Sequence, residues 1–332
     1  MTEDDKNIKL EIRMQTLSYL ESSHFQIPTS SIYELMDQLD IWILSGVCGG
    51  MVCGRSRVGK SSAIEYAVRY IHGKYGDAFP VIQWSLNEHI ANTKDRTFYA
   101  EILDAMGICV DFKRTITAHE LKTRVINYIA VRASETPYKK CVLFMDEAYK
   151  LDNREYYWLM DLYNQLRTKY HVTLMVFMFG TPREMRAVRD AFCADKQVQI
   201  VERFLINEHV FKGIRSIEEL SFCLASLDKV EVSTMSQHYK GQSLSQFFFP
   251  EAYTQDEACF YDLASTYWEA FVKVKSAAGI SSGDIPMHYF MQSFILCLAL
   301  YGTGSPDPSY FINRHQIEEA IERTGYGRSA DE

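Results

Sequence analysis

One short stretch, residues 54–61, constrains the fold of this chain more than any other. It spells Gly-Arg-Ser-Arg-Val-Gly-Lys-Ser, a full match to the phosphate-loop pattern G-x-x-x-x-G-K-[ST]. Residues 50–53 before it form a short apolar run, and residues 62–71 after it carry apolar side chains at helical spacing. These patterns predict a strand, a glycine-rich turn and a helix in succession. In that arrangement the unpaired N–H groups at the start of the helix can surround a polyphosphate. The stretch therefore predicts a nucleotide-binding α/β fold.

Each type of residue in this loop has a chemical role. Glycine lets the backbone approach the phosphates closely. We predict that Lys60 lies along the β- and γ-phosphates of ATP and that the Ser61 hydroxyl takes one position around Mg²⁺. The predicted nucleotide contacts are Gly54, Arg55, Ser56, Arg57, Val58, Gly59, Lys60, Ser61, Ser62 and Asp146.

The last of these contacts belongs to a second motif, in residues 139–148. An apolar run, Cys141-Val142-Leu143-Phe144-Met145, ends in the two acids Asp146 and Glu147, as in a Walker B element. We predict that Asp146 holds Mg²⁺ together with Ser61. Glu147 is the predicted base that orients and polarises the attacking water. The alternative is that both are solvated acids at the end of a strand.

Two further residues are predicted to act in catalysis. The apolar run 171–180 predicts the strand beside Walker B, and Thr181 directly after it is placed to contact the γ-phosphate or its water. The alternative is a simple helix cap before Pro182. Arg203 is the predicted arginine finger that reaches the nucleotide of a neighbouring subunit, with Arg186 and Arg189 as rivals.

Composition excludes several classes of protein. The chain has 332 residues, is 47% hydrophobic and carries a formal charge of −8. No apolar run reaches the eighteen or so residues of a membrane span, and the acidic start Met1–Asp5 does not fit a secretory signal. We expect a soluble, cytoplasmic protein without membrane contact. The 8 cysteines form no C-x-x-C pair, so buried free thiols are expected and a zinc site is not.

The order of the patterns predicts the organisation of the chain. Residues 1–24 are predicted as an N-terminal extension with an exposed leading helix, residues 25–212 as the α/β core and residues 213–332 as a smaller, acidic, helical region. The core should contain a central parallel sheet, because apolar runs alternate with helical patterns along it.

In this order the motifs resemble the AAA+ ATPases, whose fold is a P-loop NTPase core followed by a lid-like helical region. Within that group the chain is similar to the TniB/TnsC transposition regulators. The similarity covers about residues 25–210 and is carried by Ile27-Pro28, residues 93–107, 145–148, 179–182 and 202–204. The chain departs from this group at Arg57-Val58 and at Tyr149, and neither Arg314 nor Arg323 is a secure second sensor arginine.

The resemblance implies an ATP-dependent ring or filament of identical subunits on double-stranded DNA in a bacterial cytoplasm. It implies Mg²⁺-dependent ATP hydrolysis, a transposase as one partner, and a target-selection complex with a TniQ-like adaptor, RNA-guided or not, as another. Basic residues outnumber acidic ones in residues 94–140, which suits phosphate contact without sequence preference. The predicted DNA contacts are Thr93, Lys94, Arg96, Lys113 and Arg114.

Other functions remain open from the sequence. A solvated helix face explains each predicted DNA contact taken singly. The whole chain is also compatible with a STAND-like, partner-gated signalling ATPase that never binds DNA, its acidic C-terminal helices binding another protein. A replication-loader AAA+ ATPase is a third alternative.

Overall fold

The computed structural model describes residues 3–22, 25–86, 94–110, 116–232, 241–281 and 283–328. Its five strands are β1 (Gly49–Cys53), β2 (Val81–Ser85), β3 (Lys140–Asp146), β4 (Thr173–Gly180) and β5 (Glu208–Val210). The helices are α1 (Glu3–Glu21), α2 (Ser30–Ser45), α3 (Lys60–Tyr75), α4 (Asp95–Ala105), α5 (Ala118–Ser134), α6 (Asn153–Tyr170), α7 (Pro182–Ala194), α8 (Val198–Ile200), α9 (Ile217–Asp228), α10 (Leu244–Phe248), α11 (Pro250–Asp256), α12 (Ala264–Ala278), α13 (Met287–Tyr301) and α14 (Arg314–Arg323). A 3₁₀ turn spans Ala148–Lys150, and a π-helical segment spans Val201–Leu205.

The strands form one parallel sheet in the order β2-β3-β4-β1-β5. Strand β4 lies between β1, which leads into the phosphate loop, and β3, which ends in Asp146. Strands β1, β3 and β4 are almost wholly buried, as expected of a parallel sheet covered on both faces. Because the strands are parallel, their carboxyl ends meet at one edge of the sheet. The predicted α/β fold with a central parallel sheet is confirmed.

The chain divides into two compact units. The α/β unit comprises residues 32–56 and 60–211, and the helical unit comprises residues 1–31, 57–59 and 212–332. The division after residue 211 lies one residue before the predicted end of the core at 212. Residues 1–31 belong to the same unit as the C-terminal helices. Arg57, Val58 and Gly59 of the phosphate loop also belong to that unit.

The predicted leading helix forms, but the prediction that it is exposed is wrong for one of its faces. Helix α1 buries Ile12 and Leu20, which are 4% and 3% exposed, in the apolar core of the helical unit. The guanidinium of Arg13 donates to the carbonyl of Ala299 in α13. The sequence did not reveal this apolar face, because it is only a narrow stripe of the helix among alternating charged residues. Among the described residues, no helix is both long and apolar enough to cross a bilayer.

The core of the α/β unit fixes the sheet edge where the motifs lie. The ring of Trp42 in α2 stacks on Phe177 of β4 with 5.3 Å between ring centroids. A Cβ atom on Gly49 would lie 2.4 Å from the carbonyl oxygen of Val176, so the first position of β1 admits no side chain. At this point the space between β1 and β4 cannot hold even one added methyl group unless the strands shift.

Two arginines of α7 fasten the edge strand β5. Arg186 Nη2 lies 2.6 Å from Glu208 Oε1, and Arg189 Nη1 lies 3.1 Å from Glu208 Oε2. Burial by itself raises the pKa of Glu208, but the hydrogen bonds and charges of the two arginines outweigh burial and hold this pKa below its ordinary value. The ionised carboxylate is therefore the form that stabilises the fold.

The Glu208 contact predicts a pH-dependent stability. Because the folded-state pKa is depressed, the contribution is present above the unfolded value of about 4.3 and is lost as pH falls through the folded-state pKa. We expect Glu208→Gln to lower the free energy of unfolding at pH 7 by about 1 kcal/mol and Tm by about 2–4 °C. Urea titrations at pH 7 and pH 3 check this, with exposed Glu202→Gln as control; an equal effect of Glu208→Gln at both pH values contradicts it.

Candidate nucleotide-binding site

The Lys60 ammonium lies inside the phosphate loop. Helix α3 begins at Lys60, whose Nζ donates to the carbonyl oxygens of Gly54 at 2.8 Å and Arg55 at 2.9 Å. The side chain is only 7% exposed, and a buried ammonium needs such acceptors. The loop thus holds a positive charge at the start of a helix, where the helix N-terminus also favours anions.

Ser61 and Asp146 meet although 85 residues separate them. Ser61 Oγ donates to Asp146 Oδ2 at 2.6 Å, and Asp146 Oδ1 accepts from the backbone N–H of Glu147 at 3.0 Å. A hydroxyl and a carboxylate in contact are oxygen ligands of the kind that Mg²⁺ prefers. The pair suits a magnesium ion whose other ligands are water and phosphate oxygens.

Glu147 follows Asp146 at a sharp backbone turn. Its φ of 58° lies in the left-handed region, at a cost of about 1 kcal/mol or more for a residue with a side chain. The Tyr149 hydroxyl donates to Glu147 Oε2, and Lys150 Nζ lies 4.0 Å from the same oxygen. The carboxylate is 35% exposed and close to Asp146 along the chain. Tyr149 is thus the partner of the predicted base, a contact that the sequence did not reveal.

Thr181 lies beside the first residue of the phosphate loop. Strand β4 ends at Gly180, whose carbonyl oxygen accepts from the Gly54 N–H at 3.1 Å. Thr181 is the N-cap residue of α7, but its hydroxyl makes no side-chain cap bond. The hydroxyl is buried and has no hydrogen-bond partner among the described residues, and neither has Glu184 Oε2. The capping box that Thr-Pro-Arg-Glu spells is not formed, so the cap alternative lacks its side-chain bond.

A buried hydroxyl without a partner is costly, and such groups in native structures have a reason. Thr181 is 9% exposed and lies at the same sheet edge as the phosphate loop. A polar ligand bound at that edge would supply the missing partner. This orphaned atom, together with the buried Lys60 and the Ser61–Asp146 pair, fits a triphosphate with magnesium.

The three candidate arginine fingers all have partners within their own unit. The Arg203 guanidinium lies over the Tyr163 ring at 5.3 Å, contacts Met160 Sδ and donates to Asn164 Oδ1 at 3.4 Å. Arg186 and Arg189 bind Glu208, as described above. The structure therefore brings none of them to the loop of its own chain, and the arginine finger stays a prediction.

The predicted DNA contacts are described only in part. Lys94 is exposed and precedes α4 as its N-cap residue, and Arg96 is half-buried in the first turn of α4. Thr93, Lys113 and Arg114 lie outside the described residues. Further basic residues of the same stretch have intramolecular partners: Lys122 binds Asp161, Arg132 binds Glu135 and Lys140 binds the carbonyl of Ile43. Composition alone overstated the positive charge that is available to a phosphate backbone.

The helical unit contains a cavity that no motif predicted. Lys212, Gly213 and Ile214 follow β5 and line it, and the N–H of Gly213 donates to Asp284 Oδ2 at 2.5 Å. A Cβ atom on Gly213 would lie 2.2 Å from the carbonyl oxygen of Ile285, so glycine is required there. The other lining residues are Thr29, Ser30, Ser31, Val58, Glu219, Cys223 and Met287. The sequence feature that points toward this cavity is the phosphate loop, because Val58 of that loop lines it.

Comparison with known proteins establishes the fold. No known protein family matches the sequence, and neither does any curated protein. Among solved structures, the chain is similar to the Aeropyrum pernix ORC2 protein in its ADPNP–ADP complexes, with a TM-score of 0.55 and 13% identity over 90% of this chain and 68% of that chain. The chain has the AAA+ ATPase fold. A second solved structure, Drosophila ORC bound to DNA, has a TM-score of 0.50 and 13% identity over 99% of this chain and 51% of that chain.

Thr181 gives a direct test of the two alternatives for its hydroxyl. If the hydroxyl serves the nucleotide, Thr181→Val leaves the free energy of unfolding within about 0.5 kcal/mol of wild type, because no bond is lost. ATP turnover should then fall about tenfold or more, and Thr181→Ser should retain it. Urea unfolding and steady-state ATPase assays measure both quantities. A loss of about 1 kcal/mol with unchanged turnover would instead support the cap.

Proposed function

We propose that this protein is an ATP-dependent regulator of DNA transposition that assembles as an oligomer on double-stranded DNA and disassembles when ATP is hydrolysed. The observation that carries the ATPase part is the constellation of Lys60, Ser61, Asp146 and Thr181 at one edge of a parallel sheet. The transposition part is supported by the resemblance to TniB/TnsC proteins in residues 25–210 and remains a proposal.

Each residue of the constellation has a role in hydrolysis. ATP with Mg²⁺, when bound, supplies the phosphoanhydride bond that is broken. Lys60 neutralises the phosphates, while Ser61 and Asp146 hold the metal. Glu147 accepts a proton from the attacking water, and its hydrogen bond with Tyr149 orients the carboxylate. Thr181 donates its hydroxyl to the γ-phosphate or to that water.

DNA binding is proposed from charge and from similarity. Lys94 is an exposed cation at the start of α4, where Arg96 follows, and such residues contact phosphates without reading sequence. Drosophila ORC, which resembles this chain in fold, is a DNA complex. Because the net charge of the chain is −8, we expect DNA to contact a local basic surface and not the protein as a whole. The proposed partners are double-stranded DNA, a transposase, a target-selection complex and further copies of this chain.

A replication-loader ATPase is the second candidate. The similarity in fold to ORC proteins favours it over a signalling ATPase. The two DNA-linked functions differ in the partner that the ATP-bound oligomer recruits, a transposase in one and a helicase in the other. Sedimentation of the purified oligomer on DNA with each partner separates them.

The loop and the acidic strand give a pair of variants with opposite expected results. Lys60→Ala should lose binding of an ATP analogue, because the cation that faces the phosphates is gone. Glu147→Gln should bind ATP normally yet hydrolyse it about 100-fold more slowly or worse. Filter binding and phosphate release measure these quantities. Normal turnover in Glu147→Gln would contradict the assigned base.

The same variants test assembly on DNA. We expect Glu147→Gln with ATP to form rings or filaments that electron microscopy detects, and Lys60→Ala to form none. Fluorescence polarisation on a random-sequence duplex should show binding that weakens about tenfold or more between 50 and 200 mM salt. Binding that is absent, or insensitive to salt, would support the signalling alternative.

A mixing experiment tests Arg203. Arg203→Ala should bind ATP but not hydrolyse it, because its neighbours lack the finger. Glu147→Gln binds ATP and assembles but is nearly inactive, and it still supplies Arg203, so an equimolar mixture of the two variants should regain turnover on DNA. Arg189→Ala removes a rival candidate for the finger and is the comparison variant: if Arg203 is the finger, Arg189→Ala keeps ATP turnover without any partner variant. Failure of the mixture while each variant still joins oligomers would show that Arg203 does not act in trans.

A further inference from the structure

Arg57 holds an unusual backbone conformation in the middle of the phosphate loop. Its φ is 64°, in the left-handed region that glycine adopts without cost. A residue with a side chain costs about 1–2 kcal/mol there unless its surroundings stabilise it. The loop therefore needs a contact that keeps Arg57 in this conformation.

The first turn of α13 supplies that contact within the helical unit. The N–H of His288 donates to the carbonyl oxygen of Arg57 at 3.2 Å. The Arg57 guanidinium lies 5.5 Å from the centre of the Tyr289 ring, within the range of a cation–π interaction. Val58, the next loop residue, is 3% exposed, and a Cβ atom on Gly59 would lie 3.8 Å from Met287 Cβ. Three consecutive loop residues thus group with this turn.

The Tyr289 ring is itself held in place. It is 7% exposed and packs against Tyr326 with 5.2 Å between ring centroids. The neighbouring His288 ring lies 5.6 Å away. Burial, and then the positive charge of Arg57, lower the pKa of His288, so at neutral pH its ring adds no second cation beside Tyr289. The aromatic face is a preorganised platform for one guanidinium.

We propose that Tyr289 is a positioning residue for nucleotide binding: by holding Arg57, it keeps the phosphate loop in the conformation that accepts a triphosphate. The proposal rests on the proposed nucleotide-binding function of the loop.

The experiment measures the Kd of N-methylanthraniloyl-ATP for four variants of the full chain. Tyr289→Leu should weaken binding about threefold to tenfold. A loss of this size corresponds to the cation–π contact together with part of the cost of the left-handed backbone at Arg57. Tyr289→Phe keeps the aromatic face and should stay within about twofold of wild type. Arg57→Ala should bind more weakly than Arg57→Gly, because glycine adopts the left-handed conformation without strain.

A double variant makes the test specific. If Tyr289 acts through Arg57, Tyr289→Leu has no further effect on Kd in the Arg57→Gly background. A Tm measured without nucleotide accompanies each Kd and shows whether Tyr289→Leu is folded. If it is not, the difference between Arg57→Ala and Arg57→Gly decides, since Arg57 is exposed and both are expected to fold.

The outcomes separate this inference from the function on which it rests. If Lys60→Ala binds the analogue as wild type does, the nucleotide site itself is wrong. If Lys60→Ala loses binding but Tyr289→Leu and Arg57→Ala bind normally, the site stands and the role of Tyr289 is overturned. Additive losses in the double variant also overturn it, because the two residues then act independently.

Discussion

The hydrogen bond between Ser61 and Asp146 is the contact on which the candidate site depends. It joins the end of β3 to the start of α3, which the parallel order β3-β4-β1 brings to the same edge of the sheet. Close packing at Gly49 and the stacking of Trp42 on Phe177 hold that arrangement. The chemistry at the edge is thus a consequence of a parallel, tightly packed sheet.

Polar groups without a hydrogen-bond partner are as informative about the chemistry of this sheet edge as the groups that have one. The buried hydroxyl of Thr181 and one oxygen of Glu184 find no partner among the described residues, although their sequence spells a capping box. Lys60 meanwhile uses two carbonyls of its own loop. A buried hydroxyl without a partner and a buried cation in the adjoining phosphate loop suit an anion with several oxygens.

Residues of the phosphate loop belong to both units of the chain. The ends of the loop belong to the α/β unit, while Arg57, Val58 and Gly59 group with the helical unit. The sequence showed Arg57 only as a departure from the glycine-rich pattern. The structure gives that departure a reason, because the arginine packs on Tyr289 in a conformation that otherwise favours glycine.

By itself, the sequence determined the local elements and the chemistry at their ends. The spacing of apolar residues predicted β1, β3 and β4 closely, together with the helix α3 that follows the phosphate loop. The loop motif and the acids after β3 named the residues that meet at the edge. These are properties of short segments, which periodicity and backbone stereochemistry set directly.

Only the tertiary structure decided which side chains are available. Helix α1 has an apolar stripe too narrow to stand out among its charges, yet Ile12 and Leu20 are buried. Lys122 counted as an available cation in the sequence until folding brought Asp161 of α6 beside it. The hydroxyl of Tyr149 reached Glu147 only after a left-handed turn that no local pattern predicts. In each case the partner is chosen by packing between elements or by a turn, and neither is encoded in the spacing of one segment.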